Sequence, residues 1–490
     1  MSMFESTLLF TVILLPLLGS FCLLWITDKK SLLKVALSFS FLTFWMSLSL
    51  WILFDRSTSH FQFVIEGLWL PFSNIHFFLG VDGISLFFIL LTTLLIPLCI
   101  LSIWKVEKHV KEYLIAFLLL ESFLLLVFSL LDLVLFYFFF EAILIPMFLI
   151  VGIWGSRQRK IRAAYMLFFY TLIGSLFMLL AIVSIYVLTG TTDYLLLLTL
   201  TSPLDESLQK LFWLAFFASF AVKVPMLPFH IWLPEAHVEA PTTGSVLLAG
   251  ILLKLGSYGL LRFSLPLFPS ATVYFTPFLY TLASLAIIYT SFIAICQTDM
   301  KRIIAYASVA HMNVILIGLF TLNIYGIEGA IIQQLAHGLV SSSLFFCVGI
   351  LYDRHHSRMV LYYGGLSHQM PLFVFFFMFF TMANIAFPLS ANFVGEFLIL
   401  VGAFQVNKSA AFLGATGMVL GGLYSLWLYN RIAFGNLKIQ NTETFFDMNR
   451  REFFIQLPLF LGTLFMGIYP ECFLDPMHVS VMSLIEKCIL

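Results

Sequence analysis

Charged residues are scarce. Asp, Glu, Lys and Arg make up 10% of the 490 residues, against roughly 25% in soluble domains, which excludes an ordinary water-soluble enzyme. The few charges also cancel, 25 Lys+Arg against 25 Asp+Glu, so no basic excess invites nucleic acid and no acidic face invites a basic partner. Cysteine is equally thin. Cys22, Cys99, Cys296, Cys347, Cys472 and Cys488 are scattered without C-x-x-C spacing, read as small apolar side chains, and imply neither a disulfide framework nor an iron–sulfur site. A Gly-rich phosphate loop, a dinucleotide fingerprint and a metal-spaced Cys/His cluster are all missing, so whatever powers this protein is expected to be bound elsewhere. The first apolar run, residues 8–26, has no basic region before it and no small-residue cleavage pattern; it reads as a spanning helix rather than a removable signal.

What the chain has in quantity is apolar, 61% of its residues, arranged in runs of about twenty, the length that crosses a bilayer as a helix. The fold class expected is all-α and polytopic, with about fourteen spans near 5–27, 32–54, 82–104, 113–131, 133–154, 162–189, 210–234, 245–265, 272–296, 301–322, 327–351, 370–403, 410–431 and 453–474. The fourth and fifth are split at Asp132, because the joint run is too long for one crossing.

The basic residues test that count. Eighteen of the 25 Lys+Arg fall in connections after odd-numbered spans, Lys301, Arg358 and Lys438 among them; Arg56, Lys210, Arg262, Lys408 and Lys487 fall on the opposite side, and the remaining two are Lys223 and Lys254. This bias places the odd connections on the synthesis side and both termini on the other face, which requires an even number of spans. Arg262 reads as a snorkelling residue at a helix end. The longest connections are 55–80, aromatic and suited to the membrane interface, and 432–452, polar and basic and suited to lipid headgroups or a neighbouring subunit.

Lys223 and Lys254 need a reason, because a charge at mid-membrane costs on the order of 2.5–3.5 kcal/mol even on the lenient scale. The span of Lys223 is interrupted by Pro225 and Pro228, each lacking a backbone donor. Glu141, five residues before Pro146, is either satisfied by backbone groups that the proline frees or, the sharper reading, the ion partner of a buried lysine. Asp132 lies about 180° round the helix from Glu141 and is expected to cap the helix start, while Glu121 is open between a structural partner and part of a proton path. His230, seven residues after Lys223, is read as a relay. The turn after it, Glu235, His237 and Glu239 included, is placed where the broken segment meets water or protein. Gly250, one turn before Lys254, allows a close helix approach that would desolvate the amine. Gln333, His337 and Ser341 repeat at four residues and form one polar stripe, a helix contact or a hydrated path.

Span twelve repeats the device of span seven. Pro388, Ser390, Asn392 and Gly395 interrupt an apolar run that carries Glu396, and paired broken segments in two halves point to ion sites. Helices 4–8 and 9–13 then read as inverted five-helix repeats, the first centred on Lys223 with Glu141, the second on Glu396 with His311 and His337. The domain boundaries expected are 1–112 for the first three helices, 113–265 and 272–431 for the repeats, and 432–490 for the basic loop and helix 14.

The run V-K-V-P-M-L-P-F-H-I-W-L-P-E-A-H-V-E-A-P-T-T-G-S-V-L-L-A-G-I-L-L-K, with F-F-F-E-A-I-L-I-P-M-F, A-Y-A-S-V-A-H-M-N, L-A-H-G-L-V-S-S-S-L-F and N-F-V-G-E-F-L-I-L, resembles the antiporter-like subunits of respiratory complex I over nearly the whole chain. W-G-S-R-Q-R-K, L-Y-D-R-H-H and L-Y-Y-G-G-L resemble plant and algal mitochondrial versions. Mrp-type sodium/proton antiporter subunits share the lysine motif, which keeps a cation/proton antiporter open as the alternative. A structural scaffold whose polar residues only pair helices is the third reading.

The resemblance implies roles by position. Glu141 and Lys223 match the family's glutamate–lysine pair, Lys254 its connecting lysine, His311 and His337 the bridging histidines, Glu396 the exit-side residue, and His230 falls within the motif. It also implies a proton-translocating subunit of NADH:ubiquinone reductase in the mitochondrial inner membrane, or alternatively a bacterial plasma membrane. No cofactor is implied in this chain, with NAD, FMN, iron–sulfur clusters and ubiquinone in partner subunits. The implied partners are other membrane-arm subunits, above all neighbouring antiporter-like ones, together with accessory subunits and membrane lipids. The expected mechanism is charge switching: paired with Glu141, Lys223 keeps its proton, and opening the pair drives that proton to Lys254 and on through His311 and His337 to Glu396.

Overall fold

The computed structural model describes residues 3–70, 75–201, 204–436 and 446–489. Among them, twelve helices are long and apolar enough to cross a membrane. The two remaining expected spans, 210–234 and 370–403, are the ones built from shorter pieces. In the first, helix Glu206–Lys223 stops two residues before Pro225, an irregular stretch follows, and helix resumes at Trp232–Glu239. Proline supplies the physical reason, since it restricts the residue before it and cannot donate to the preceding turn. In the second, Pro371–Asn384 and Ala391–Val406 are separated by a turn in which Ala386 (φ 62°) and Leu389 (φ 76°) take left-handed backbone. Asp132 caps the helix that follows it, accepting from the backbone N–H of Val134 (2.9 Å) and Leu135 (3.0 Å), as its position suggested.

The chain forms two compact units. The first comprises Met1–Lys223, Leu255–Thr276 and Asp475–Leu490; the second comprises Val224–Lys254 and Pro277–Leu474.

Within the first unit, part of the 55–80 stretch forms an antiparallel hairpin, Gln62–Leu70 with Ile75–Val81, a departure from the all-helical expectation. A second departure concerns Arg262, which does not snorkel. It is 3% exposed and forms a two-pronged ion pair with Asp82, Nη1 to Oδ2 at 2.8 Å and Nη2 to Oδ1 at 2.6 Å. The planar guanidinium matches a carboxylate in this geometry, and the pair joins the end of Thr242–Leu267 to the cap of Gly83–Ser102. A third departure is the helix Glu471–Ile489, absent from the expected spans. Its Ser480 hydroxyl accepts from the Gly83 N–H at 3.1 Å. A Cβ at position 83 would lie 2.0 Å from the Pro476 carbonyl oxygen, so only glycine allows this approach.

Within the second unit, the 32-residue helix Ile324–His355 packs on Ala391–Val406 with its backbone almost in contact. A Cβ at Gly329 would come within 2.7 Å of Leu398 Cβ, and one at Gly395 within 2.6 Å of Gln333 Oε1. Small residues that let membrane helices approach closely are the usual device where no hydrophobic effect drives association. Here the approach sets Gln333 against Glu396.

Residues 71–74 and 437–445, the latter including Lys438 of the expected basic connection, lie outside the described residues. Lys301 and Arg358, counted above as connection charges, are buried at 2% and 1% exposure.

Breaking the Arg262–Asp82 pair from one side leaves a buried charge alone, which typically costs 3–5 kcal/mol. Asp82→Asn is therefore expected to lower the thermal midpoint of the solubilised protein and its yield in the assembled state. An unchanged midpoint would contradict the structural role given to the pair.

Candidate functional site

Lys223 ends its helix, where a cation meets the negative end of the helix dipole. Its ammonium is 4% exposed as a residue and has three neighbours in the first unit. It donates to the Phe140 carbonyl at 2.8 Å, lies 3.1 Å from the centroid of the Phe140 ring, and stands 3.9 Å from Glu141 Oε1. Phe140 belongs to the last turn of Leu133–Ala142, where carbonyls lack partners within the helix, so it offers both a free oxygen and a π face. The Glu141 contact is an ion pair at its outer limit rather than a hydrogen bond. The lysine is thus held firmly by Phe140 and loosely by Glu141, an arrangement suited to a pair that opens.

The second unit brings four of the sequence-derived residues into one line. Lys254, fully buried, donates to the Ala249 carbonyl and meets His337 Nδ1 at 2.9 Å. The His337 and His311 rings have centroids 5.6 Å apart, and His311 Nδ1 lies 3.0 Å from Glu396 Oε1. Gln333 Nε2 donates to the same Glu396 oxygen at 2.9 Å. Ala249 lies in a π-helical turn, Leu248–Leu252, whose wider register displaces carbonyls from the usual ladder, a feature common at functional sites. Each member of this line can carry or pass a proton: an amine, two imidazoles that both donate and accept, and a carboxyl.

The polar stripe of Ile324–His355 therefore divides. Gln333 and His337 enter the line, while Ser341 donates to the His337 carbonyl of its own helix at 2.6 Å. His230 stands apart from it, with its ring edge-on to Tyr289 and Tyr306 at 6.0 and 6.5 Å.

The sequence reading missed two features. One is Phe140, which an aromatic run F-Y-F-F-F does not single out from its neighbours. The other is a buried polar cluster where the turn after His230 meets protein instead of water. His237 stacks on Phe345 at 4.8 Å, Lys301 donates to the Ala240 carbonyl at 2.8 Å, and Arg358 donates to the Val238 carbonyl and lies 4.0 Å from Glu239 Oε1. Only sequence distance separates these residues, which is why spacing could not gather them. Among the described residues, no group of His, Cys, Asp and Glu is placed to hold a metal ion.

A bundle of membrane helices with two broken spans, and buried amines, imidazoles and carboxylates within reach of one another, defines an ion-translocating membrane protein. The comparisons make the class specific. Residues 131–424 match the family described as NADH:quinone oxidoreductase/Mrp antiporter, transmembrane, and the chain belongs to that family. It is 60% identical to NADH-ubiquinone oxidoreductase chain 4 of Marchantia polymorpha over 97% of this chain and 96% of that protein. It is 50% identical to NADH-quinone oxidoreductase subunit M of Rhodobacter capsulatus, over 92% of this chain and 90% of that one. Its structure resembles a chain of respiratory complex I from Thermus thermophilus with a TM-score of 0.88 and 29% identity, covering 97% and 99% of the two chains.

Gln333 supplies a hydrogen bond to Glu396 and no other chemistry. A hydrogen bond to such a group is worth about 1.5–3 kcal/mol, so Gln333→Met is expected to slow translocation roughly 10–150-fold in normally assembled protein. Full proton translocation by assembled Gln333→Met would show that the contact is dispensable.

Proposed function

We propose that this chain is a proton-translocating membrane-arm subunit of respiratory complex I, with Glu141, Lys223, Lys254, His337, His311 and Glu396 as its proton-carrying residues. The observation that carries this reading is the line Lys254–His337–His311–Glu396, with its 2.9 and 3.0 Å end contacts in the second unit, and the separate Lys223–Glu141 pair in the first. The chain is a multi-pass protein of an inner membrane. Its relatives are subunits of NADH-ubiquinone oxidoreductase, so the redox reaction is assigned to partner subunits, where NAD, FMN, the iron–sulfur clusters and ubiquinone bind.

The proposed cycle is one of charge switching. While Glu141 faces Lys223, the ammonium is held. When the pair opens, Lys223 retains only the Phe140 carbonyl and ring, neither of which neutralises it, and its proton leaves for Lys254. Lys254 in turn passes a proton to His337 Nδ1, the histidines exchange it, and Glu396 receives it through His311 Nδ1. Gln333 orients the accepting oxygen. His230, removed from this line, is a relay on the side of Tyr289 and Tyr306. Moving a charge across 100 mV requires about 2.3 kcal/mol, so modest changes in each partner's hold suffice, and the energy comes from quinone reduction transmitted through neighbouring subunits. The two inverted repeats, helices 4–8 and 9–13, would each supply one half of the path.

In assembled complex carrying Lys223→Ala, verified on a native gel, NADH oxidation and proton pumping are both expected to fall at least about tenfold, equivalent to about 1.4 kcal/mol. If both persist, Lys223 is a structural cation and the reading fails. Purification with flavin and iron–sulfur subunits separates this function from that of an Mrp-type antiporter, which has no need of them.

A further inference from the structure

Glu121 is a buried carboxylate whose environment differs from that of the ion-paired ones. Glu141 faces Lys223, Asp82 faces Arg262 and Glu396 faces His311. Glu121, fully buried in helix Val110–Ser129, faces no basic group in any ion pair among the described residues. Its one hydrogen-bond partner there is the hydroxyl of Thr43, at 2.7 Å from Oε1, and Oε2 has none.

The two contacts of Thr43, together with the absence of a basic partner among the described residues, point to the state of Glu121. A threonine hydroxyl has one hydrogen and two lone pairs. Thr43 Oγ1 also lies 2.8 Å from the Ser40 carbonyl, three residues back on its own helix, Lys29–Leu53. Four serines of that helix do the same: Ser38, Ser40, Ser47 and Ser49 donate to the carbonyls of Val35, Leu37, Phe44 and Met46. With the hydroxyl hydrogen of Thr43 directed to Ser40, a neutral Glu121 supplies the hydrogen for the 2.7 Å contact. The converse arrangement, an ionised Glu121 accepting from Thr43, would leave a charge in hydrocarbon with a single neutral donor, which buried charges do not tolerate.

We propose that Glu121 is a proton-binding site of the first unit, separate from Glu141 and Lys223, in which a neutral carboxylic acid donates to Thr43 and keeps its proton through turnover. The site clamps Val110–Ser129 to Lys29–Leu53 and takes no part in the translocation line. Its ligand is a proton, and its acceptor is the Thr43 oxygen.

The test is infrared absorption of the assembled complex. Between wild type and Glu121→Gln, the spectrum is expected to lose a protonated-carboxyl C=O band. Thr43→Val is expected to move that band to higher frequency, because the acid loses its acceptor. Glu121→Gln should also pump within twofold of wild type per NADH oxidised, since the amide can still donate to Thr43. Loss of carboxylate bands in place of the C=O band overturns the neutral state. An unmoved band in Thr43→Val overturns the partner. A tenfold fall in pumping by assembled Glu121→Gln would show that the proton leaves during turnover. Should Glu121→Gln fail to assemble, the Thr43→Val shift still decides the matter.

Discussion

Hydrocarbon offers a buried charge nothing, and the structure depends on how each charge is answered from within the protein. A lysine in water has its hydration shell; in a bilayer it must find oxygens, a π face or a counter-ion. Lys223 finds all three at Phe140 and Glu141, Lys254 finds the Ala249 carbonyl and an imidazole nitrogen, and Arg262 finds both oxygens of Asp82. The polar groups of a membrane interior are therefore gathered in a few places, and those places are where translocation can occur.

Lys223 and Lys254, the two lysines proposed to carry protons, sit on backbone carbonyls that a regular α-helix would have occupied. For Lys223 the carbonyl comes from the last turn of Leu133–Ala142. For Lys254 it comes from a π-helical turn in its own helix. Irregular backbone thus does more than add bending points: it supplies neutral oxygen that holds an ammonium without fixing its charge. A carboxylate as the sole partner would bind the proton too firmly to release it. A carbonyl together with a distant carboxylate allows either state, and the 3.9 Å Glu141 contact has that character.

Much of this was legible in the sequence because the physics there is one-dimensional. Run length gave the spans, and Pro225, Pro228 and Pro388 marked the two that are broken. Intramembrane Lys223, Lys254, Glu141 and Glu396 stood out by the cost of their charge. Other features depended on contact across sequence distance. Arg262 at a helix end reads as a snorkelling residue until Asp82, 180 residues away, is seen beside it. Phe140 is one phenylalanine among 57 until a lysine is placed on its ring. The hairpin at Gln62–Leu70 and Ile75–Val81 was hidden because its strands lack a clean apolar/polar alternation and read as interfacial aromatic chain. The helix Glu471–Ile489 was passed over because Asp475, Glu486 and Lys487 break the apolar run by which spans are recognised.

Charge switching requires Glu141 and Lys223 to work as one unit. A double-mutant cycle measures it most directly, with proton pumping per NADH oxidised compared among Glu141→Asp, Lys223→Arg and the two combined in assembled complex. Residues that share an interaction show coupling of about 0.5–3 kcal/mol, so the combined variant is expected to depart from the product of the single effects by at least about twofold. Effects that multiply without departure would show that the two side chains act independently, and would contradict charge switching between them.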